Sequence, residues 1–574
     1  MTIEQLPTSD DVDLVIVGAG FAGLYMLHKA HVMGLHARCI ERATDVGGTW
    51  YWNRYPGARC DIESFDYSFS FDDELQQEWV WSEKFATQPE ILAYAQHVAE
   101  RFGLRRDITF GTSVTSAEFE VDSARWSIGT DSGTRLTAAF LVLAVGNLSS
   151  ANLPEFEGLD RFTGRTFHTA SWPHEGVDFT GRRVGVVGTG SSAIQAIPLI
   201  AQECERLDVF QRTANYSLPA LNSPLDPAEA AERKRTYPEY RRQARRSFTG
   251  VPVEAPTERA LAVTPQEREI AYERAWRSGK YGALLRAYTD LATDRAANET
   301  AAQFIRRKVR DAVDDPDVAA KLSPVRVPFG TKRTCLDTNY YETFNRPNVQ
   351  LVDVREDPIS RITESGIETG TAHYALDDIV FATGFDAMTG SILRIDPRGR
   401  SGASLRDAWE AGPRTLLGLA SHGFPNLFFI TGPGSPSVLS NMIVSIEQHV
   451  DWVSGLLAYM REHGLRSVEA TEDAQEAWVQ HVNEAAAATL YPEGNSWYLG
   501  ANIPGKTRVF MPYVNGVGAY REHCDEITAA DFRGFTFTTV PREESAAHTP
   551  WTSSPQEGVS APVHTAEDVS ELLI

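Results

Sequence analysis

The sequence predicts an α/β protein with two parallel-sheet units and a helical insertion, on two observations. A buried-strand pattern runs through a glycine turn into an amphipathic helix twice: residues 12–17 lead into 21–33, and residues 183–187 lead into a helical run through 194–200. Between residues 225 and 321 the composition shifts to Ala, Arg and Glu at helical spacing, with strand-type runs nearly absent. The 574-residue length sets a prior of about four structural units. Strand-like runs return at 349–354 and 378–383, and helical periodicity at 441–460 and 474–487, so later segments interrupt the two units. Residues 543–565 are rich in Pro, Ser and Thr and read as an unpacked tail.

Composition narrows the function before any motif does. Hydrophobic residues at 42% and charged residues at 23% are globular values and exclude bulk disorder. The net charge of −23 opposes attraction to phosphate backbones and anionic lipid, so nucleic acid is an unfavoured partner. The five cysteines are far apart and lack C-x-x-C or zinc spacing, which points to a reducing compartment and no metal. With no secretory leader and no bilayer-length apolar run, the expected location is the cytoplasm, away from membranes.

The first turn, Gly18-Ala19-Gly20-Phe21-Ala22-Gly23, is a G-x-G-x-x-G fingerprint between strand and helix. Gly18 turns the chain, Gly20 admits a pyrophosphate, and Gly23 lets helix and strand pack closely. Glu41, 18 residues beyond Gly23 at the end of the next strand, is placed to accept hydrogen bonds from a ribose. A long glycine and aromatic loop follows, with Thr49, Trp50, Tyr51 and Trp52 after Gly47-Gly48 and then Arg59 and Asp61. It suits a flavin wall, and hence FAD, as well as it suits ordinary core.

The second turn, Gly188-Thr189-Gly190-Ser191-Ser192-Ala193, is the G-x-G-x-x-A variant, and Ile194 and Gln195 continue its helix beside the same phosphate site. After the next strand the ribose position carries Gln211-Arg212-Thr213 in place of an acid, which favours the 2′-phosphate of NADP over NAD. The fold expected is therefore α/β with two Rossmann-like dinucleotide-binding domains, one for FAD and one for NADP.

Between the two units lies Phe162-Thr163-Gly164-Arg165-Thr166-Phe167-His168-Thr169-Ala170-Ser171-Trp172-Pro173, or F-x-G-x-x-x-H-x-x-x-W-P. It resembles the signature of the Baeyer–Villiger monooxygenases, flavoproteins that insert one atom of dioxygen beside a ketone carbonyl. The resemblance extends over about residues 10–535 through WYWNRYPGARCDIES, FGTKR, DTNYYETFNRPNV, GPGSPSVLSNM, SIEQHV and NSWYLGANIPGK, and is closest to the phenylacetone monooxygenase branch. It implies an FAD domain in two segments (1–150 and 386–541), an NADP domain in two segments (151–224 and 326–385), a helical subdomain at 225–325 and a tail at 542–574.

The same resemblance implies NADPH- and O2-dependent conversion of aryl, cyclic or larger apolar ketones to esters or lactones through a flavin C4a-peroxide, with no obligate protein partner. It assigns Arg333 as the fixed cation beside the flavin and Asp61 as the acid that orients it. Lys332 joins Arg212 on the 2′-phosphate, and Arg59 lies with Asp61 at the nicotinamide end. Trp497 belongs to a loop closing over NADP, His168 is a hinge-linking residue, and Tyr67, the backbone at Val114, and Met442 match flavin or adenine contacts. Residues 436–439 resemble a substrate-lining bulge, with Val438, Asn147 and Cys335 near the pocket. Two other readings stay open: a flavin N- or S-monooxygenase acting on soft nucleophiles, and a non-catalytic NADPH-binding module. A pyridine nucleotide–disulfide oxidoreductase would need a cysteine pair that the sequence does not offer.

Overall fold

Strand Asp10–Val17 is apolar on both faces because it lies inside a parallel sheet, with Leu14 opposite Ala37 on one side and Phe140 on the other. A computed structural model describes residues 10–539; the polar arm before it and the expected tail at 542–574 lie outside the described residues. The first sheet runs Ile108–Thr109, Ala37–Ile40, Asp10–Val17, Arg135–Leu143, Arg125–Thr130, Val114–Glu120. The outer edge of Arg135–Leu143 is shared end to end. Antiparallel Arg125–Thr130 takes its first half, and parallel Leu427–Phe429, arriving from far along the chain, takes its second.

The second sheet is parallel throughout, in the order Val349–Asp353, Arg206–Gln211, Arg183–Val187, Asp378–Phe381, Arg165–His168. Two chain crossings at residues 144–152 and 382–388 join the sheets and are hydrogen-bonded to each other. Asn152 N donates to Gly384 O (2.9 Å), Asp386 N to Ser150 O (2.8 Å) and Met388 N to Asn147 O (3.0 Å). His168 sits on these crossings. Its Nδ1 accepts from Ala170 N (3.0 Å), leaving Nε2 to donate to Asn152 O (3.3 Å) beside Thr383 Oγ1 (3.2 Å). Burial lowers its pKa and so favours the neutral ring.

Helices Pro227–Arg235, Tyr237–Arg246, Pro265–Ser278, Arg295–Ala312 and Pro316–Leu322 occupy the Ala/Arg/Glu-rich stretch. Their starts are set by local chemistry. Asp226, Asp294 and Asp315 accept from the first free backbone N–H groups, and Thr264 with Glu267 forms a reciprocal capping box. Their apolar residues join the cores of the two sheets: Tyr237 packs into the first, and Phe304, Ile305 and Val309 into the second. This division places the helical stretch against both sheets at once.

Candidate active site

Both glycine turns are shaped by contacts that only glycine allows. Gly18 has φ +102°, and a Cβ there would lie 2.7 Å from Ala144 O; a Cβ on Gly23 would lie 1.8 Å from Gly18 O. Gly20 begins helix Phe21–Val32 without a side-chain cap, so the first N–H groups stay free for an anion. Glu41 is held by Ala19 N on one oxygen and Ala43 N on the other, both at 2.7 Å. Each oxygen keeps a lone pair for a ribose hydroxyl. Thr49–Trp52, expected as loop, is a one-turn helix, because Trp50 N and Tyr51 N bond back to Gly47 O and Gly48 O. Trp50 Nε1 donates to Tyr67 Oη (3.1 Å), Tyr51 Oη meets Thr44 Oγ1 (2.6 Å), and Trp52 stacks under Arg42. Val114 opens an outer strand of the same sheet, and Met442 opens helix Met442–Glu462 behind an Asn441 cap.

At the second turn, Gly188 has φ +111° and its Cβ would lie 2.5 Å from Ala382 O. Gly190 begins helix Ser191–Glu203 uncapped, and a Cβ there would meet nothing within 4 Å. Thr189 Oγ1 donates to Thr213 O (3.0 Å), while Ala193 and Ile194 are fully buried. Tyr55 Oη donates to Gln195 Oε1 (2.9 Å), and Gln195 Nε2 donates to Arg59 O (3.1 Å). These bonds dock the second turn onto the 55–61 segment of the first unit. Cys335 faces this turn, meeting Ser191 Oγ (3.1 Å) and Asn215 Nδ2 (3.2 Å).

Three cations converge beside Thr213. Lys332 is pushed below its ordinary pKa by burial and then by Arg212 and Arg355, and Arg355 Nη2 donates to Thr213 Oγ1 (3.1 Å). Among the described residues no carboxylate pairs with any of the three. A like-charged cluster of this kind is a receptor for a multiply charged anion. Arg355 escapes motif reading: it follows strand Val349–Asp353, and only the pairing of Asp353 with Gln211 brings it next to Arg212. The Arg59 guanidinium is bonded to Glu83 (3.0 Å) and Phe85 O (3.1 Å), and among the described residues no ion pair joins it to Asp61.

Between the two turns, Arg333 meets Asp61 through Nε (2.8 Å) and Nη2 (2.6 Å) and donates to Val438 O through Nη1 (2.8 Å). Burial opposes the charge, but Asp61 more than offsets it and raises the guanidinium pKa, so Arg333 is a permanent cation. Val438 belongs to the 436–439 bulge, where Ser437 carries φ +26°, a strained value for a non-glycine residue, next to the site. Tyr281, which no motif marks, lies under the guanidinium carbon, its ring centroid 4.5 Å away. Trp497 lies on a short turn against Tyr498, and its loop reaches the crossings through Asn502 Nδ2 to Phe385 O (2.7 Å) and Lys506 Nζ to Asp386 Oδ1 (2.5 Å).

The site therefore has two open helix N-termini, an acid beside one, a cation cluster beside the other, and a fixed guanidinium between. Comparison with known proteins matches residues 12–222 to the model of the flavin-binding monooxygenase-like family. The chain is 44% identical over 530 residues to a Baeyer–Villiger monooxygenase of Pseudooceanicola batsensis, covering 92% of this chain and 96% of that one. It is 40% identical over 533 residues to a phenazine N-monooxygenase of Lysobacter antibioticus, covering 92% and 97%. The solved structure of an oxidized steroid monooxygenase bound to NADP superposes with a TM-score of 0.89 at 54% identity, covering 92% of this chain and all of that one. Among the described residues no helix is long and apolar enough to cross a membrane. The chain belongs to the Baeyer–Villiger monooxygenases.

Proposed function

We propose that this chain uses NADPH and O2 to convert apolar ketones, aryl, cyclic or larger, to esters or lactones. The observation that carries the reading is Arg333, charged and locked by Asp61 and Val438 between two uncapped glycine turns. FAD and NADP are its cofactors, and the residues fit them. Gly18, Gly20, Gly23, Glu41, Thr49–Trp52, Tyr67, Val114 and Met442 would hold FAD, and residues 188–195 with Arg212, Thr213 and Lys332 would hold NADP. We assign 1–150 and 386–541 to the FAD unit, 151–224 and 326–385 to the NADP unit, and 225–325 to the helical part. Five buried, unpaired cysteines support a reducing compartment, and we place the protein in the cytoplasm.

Bound flavin, reduced by NADPH, supplies the electrons that activate O2. The protein does the rest by charge and exclusion. Arg333 stabilises negative charge developing beside a ketone carbonyl, without needing to gain or lose a proton itself. Asp61 accepts two of its N–H groups and fixes the plane of the guanidinium. The loop carrying Trp497 covers the site and limits water.

Two tests arise here. Anaerobic NADPH is expected to bleach the flavin, with NADH a markedly weaker donor; equal or better use of NADH would defeat the assignment. Lys332→Ala and Arg355→Ala are each expected to raise KM for NADPH about tenfold or more while leaving KM for NADH nearly unchanged, because a charged hydrogen bond to phosphate is worth roughly 1.5–3 kcal/mol. Initial-rate kinetics with both nucleotides check this.

A second reading is oxygenation at nitrogen. A relative named as a phenazine N-monooxygenase is 40% identical over nearly the whole chain, so the family scaffold alone does not select the ketone. Aromatic N-heterocycles belong in the substrate panel: an N-oxide formed in step with NADPH, with no ester from any ketone, would decide for this reading.

A further inference from the structure

The helical stretch grips the 329–333 turn at three points, each from a different residue. Asn298 clamps Phe329 on both sides, with Nδ2 donating to Phe329 O (2.8 Å) and Oδ1 accepting from Phe329 N (2.8 Å). Leu285 lies against Gly330, where a Cβ would come within 2.7 Å of its methyl groups. The Arg333 guanidinium carbon lies over the Tyr281 ring, 4.5 Å from its centroid. The Tyr281 segment is itself anchored, because Gly279, at φ +58°, packs where a Cβ would lie 2.4 Å from Ala220 O.

Arg333 is constrained unequally. Three of its five N–H groups are spent along its edges, on Asp61 and Val438 O. Those bonds fix two of its edges. Beside it is a cleft of about 30 Å³, lined by Tyr281, Tyr491 and Tyr498 together with Leu285 and Phe329. That is room for water, and removal of the Tyr281 ring would enlarge it.

We propose that Tyr281 is the positioning residue for Arg333: its ring lies against the guanidinium and takes up space beside the cleft into which Arg333 would otherwise swing, away from Asp61 and Val438. The proposal rests on the functional reading above. Tyr281 acts through Arg333. The face contact is attractive because the ring's π-cloud meets a cation, and partial burial strengthens it. The phenolic hydroxyl has no protein hydrogen-bond partner among the described residues, so the contribution comes from the ring.

The test compares Tyr281→Phe, which keeps the ring, with Tyr281→Leu, which removes it, in the full-length flavin-loaded protein. Three quantities are read: the anaerobic rate of flavin reduction by NADPH, the ester formed and hydrogen peroxide released per NADPH, and the Arg333 conformer in a crystal structure of each variant. Tyr281→Phe is expected to match the parent in all three. Tyr281→Leu is expected to reduce flavin within twofold of the parent rate, to lose about three- to thirtyfold in ester per NADPH with a matching gain in peroxide, and to show Arg333 displaced toward the cleft. An unchanged ester yield with Arg333 in place overturns the proposal. So does an equal loss in both variants accompanied by a fall in melting temperature, which would mark a purely structural role. If Tyr281→Leu does not fold, Tyr281→Met is used and judged by the same readings. If the parent forms no ester from any ketone, the functional reading fails, and the Arg333 conformer alone decides for or against Tyr281.

Discussion

Replacing Arg333 with alanine is expected to leave the anaerobic bleaching of flavin by NADPH within a few-fold of the parent and to cut ester formation by about a hundredfold or more. The two halves of the reaction separate at this residue. In the proposed function nucleotide binding draws on the uncapped helix at Gly190 and the cations beside Thr213, which the substitution leaves in place. Oxygen transfer requires a positive charge where negative charge develops, and among the described residues Arg333 alone carries the Asp61 and Val438 bonds that hold a guanidinium there. The alanine also strands Asp61, a carboxylate whose side chain is 17% exposed, without its partner. Arg333→Lys is expected to recover only part of the loss, since an ammonium cannot reproduce two parallel bonds to one carboxylate and a third to Val438 O. Stopped-flow reduction and product analysis on the same preparations check both halves; unchanged ester yield in Arg333→Ala would remove this residue from the chemistry.

The second large effect is structural. Gly23→Ala is expected to yield protein with little flavin, or none that is soluble, because the new methyl group would sit 1.8 Å from Gly18 O. Both partners are backbone, one leaving a central strand and the other in the first turn of a buried helix, so neither can move without shifting helix Phe21–Val32 off the sheet. The second unit supplies the control. Ala193 occupies the equivalent place in G-x-G-x-x-A and is fully buried, and Ala193→Gly is expected to cost about 1–2 kcal/mol through helix propensity and the loss of one buried methyl group. The ratio of flavin to protein absorbance and the melting temperature measure both variants. Full flavin content in Gly23→Ala would show that the turn can open.

The contrast between these residues and Tyr281 shows where sequence is informative. Glycine turns are legible because their constraint is local: strand, turn and helix lie within about 20 residues, and the acid at Glu41 follows at a fixed spacing. Helix starts at Asp226, Thr264, Asp294 and Asp315 are legible for the same reason. Arg355 is not legible, since its place beside Arg212 depends on the second sheet pairing Val349–Asp353 with Arg206–Gln211 across a long helical excursion. Asn298 and Tyr281 lie in that excursion and reach the site only through tertiary packing on the 329–333 turn. Cys335 follows Arg333 by two residues, and the resemblance places it near the pocket; its thiol contact with Ser191 at the second glycine turn is not encoded in any motif. Arg59 follows the aromatic segment closely, but its guanidinium is taken by Glu83, a pairing no motif encodes.

The most direct measurement is isotopic. The purified protein and NADPH would be incubated under 18O2 in ordinary water with a panel of aryl, cyclic and linear ketones, aromatic N-heterocycles and sulfides, and any oxygenated product analysed by mass spectrometry alongside NADPH loss. One 18O atom per ester, with ester formed nearly in step with NADPH consumed, is the expected result. NADPH loss matched only by hydrogen peroxide across the whole panel, or an oxygenated product carrying 18O on nitrogen or sulfur and none as ester, would contradict ketone oxygenation as the function of this site.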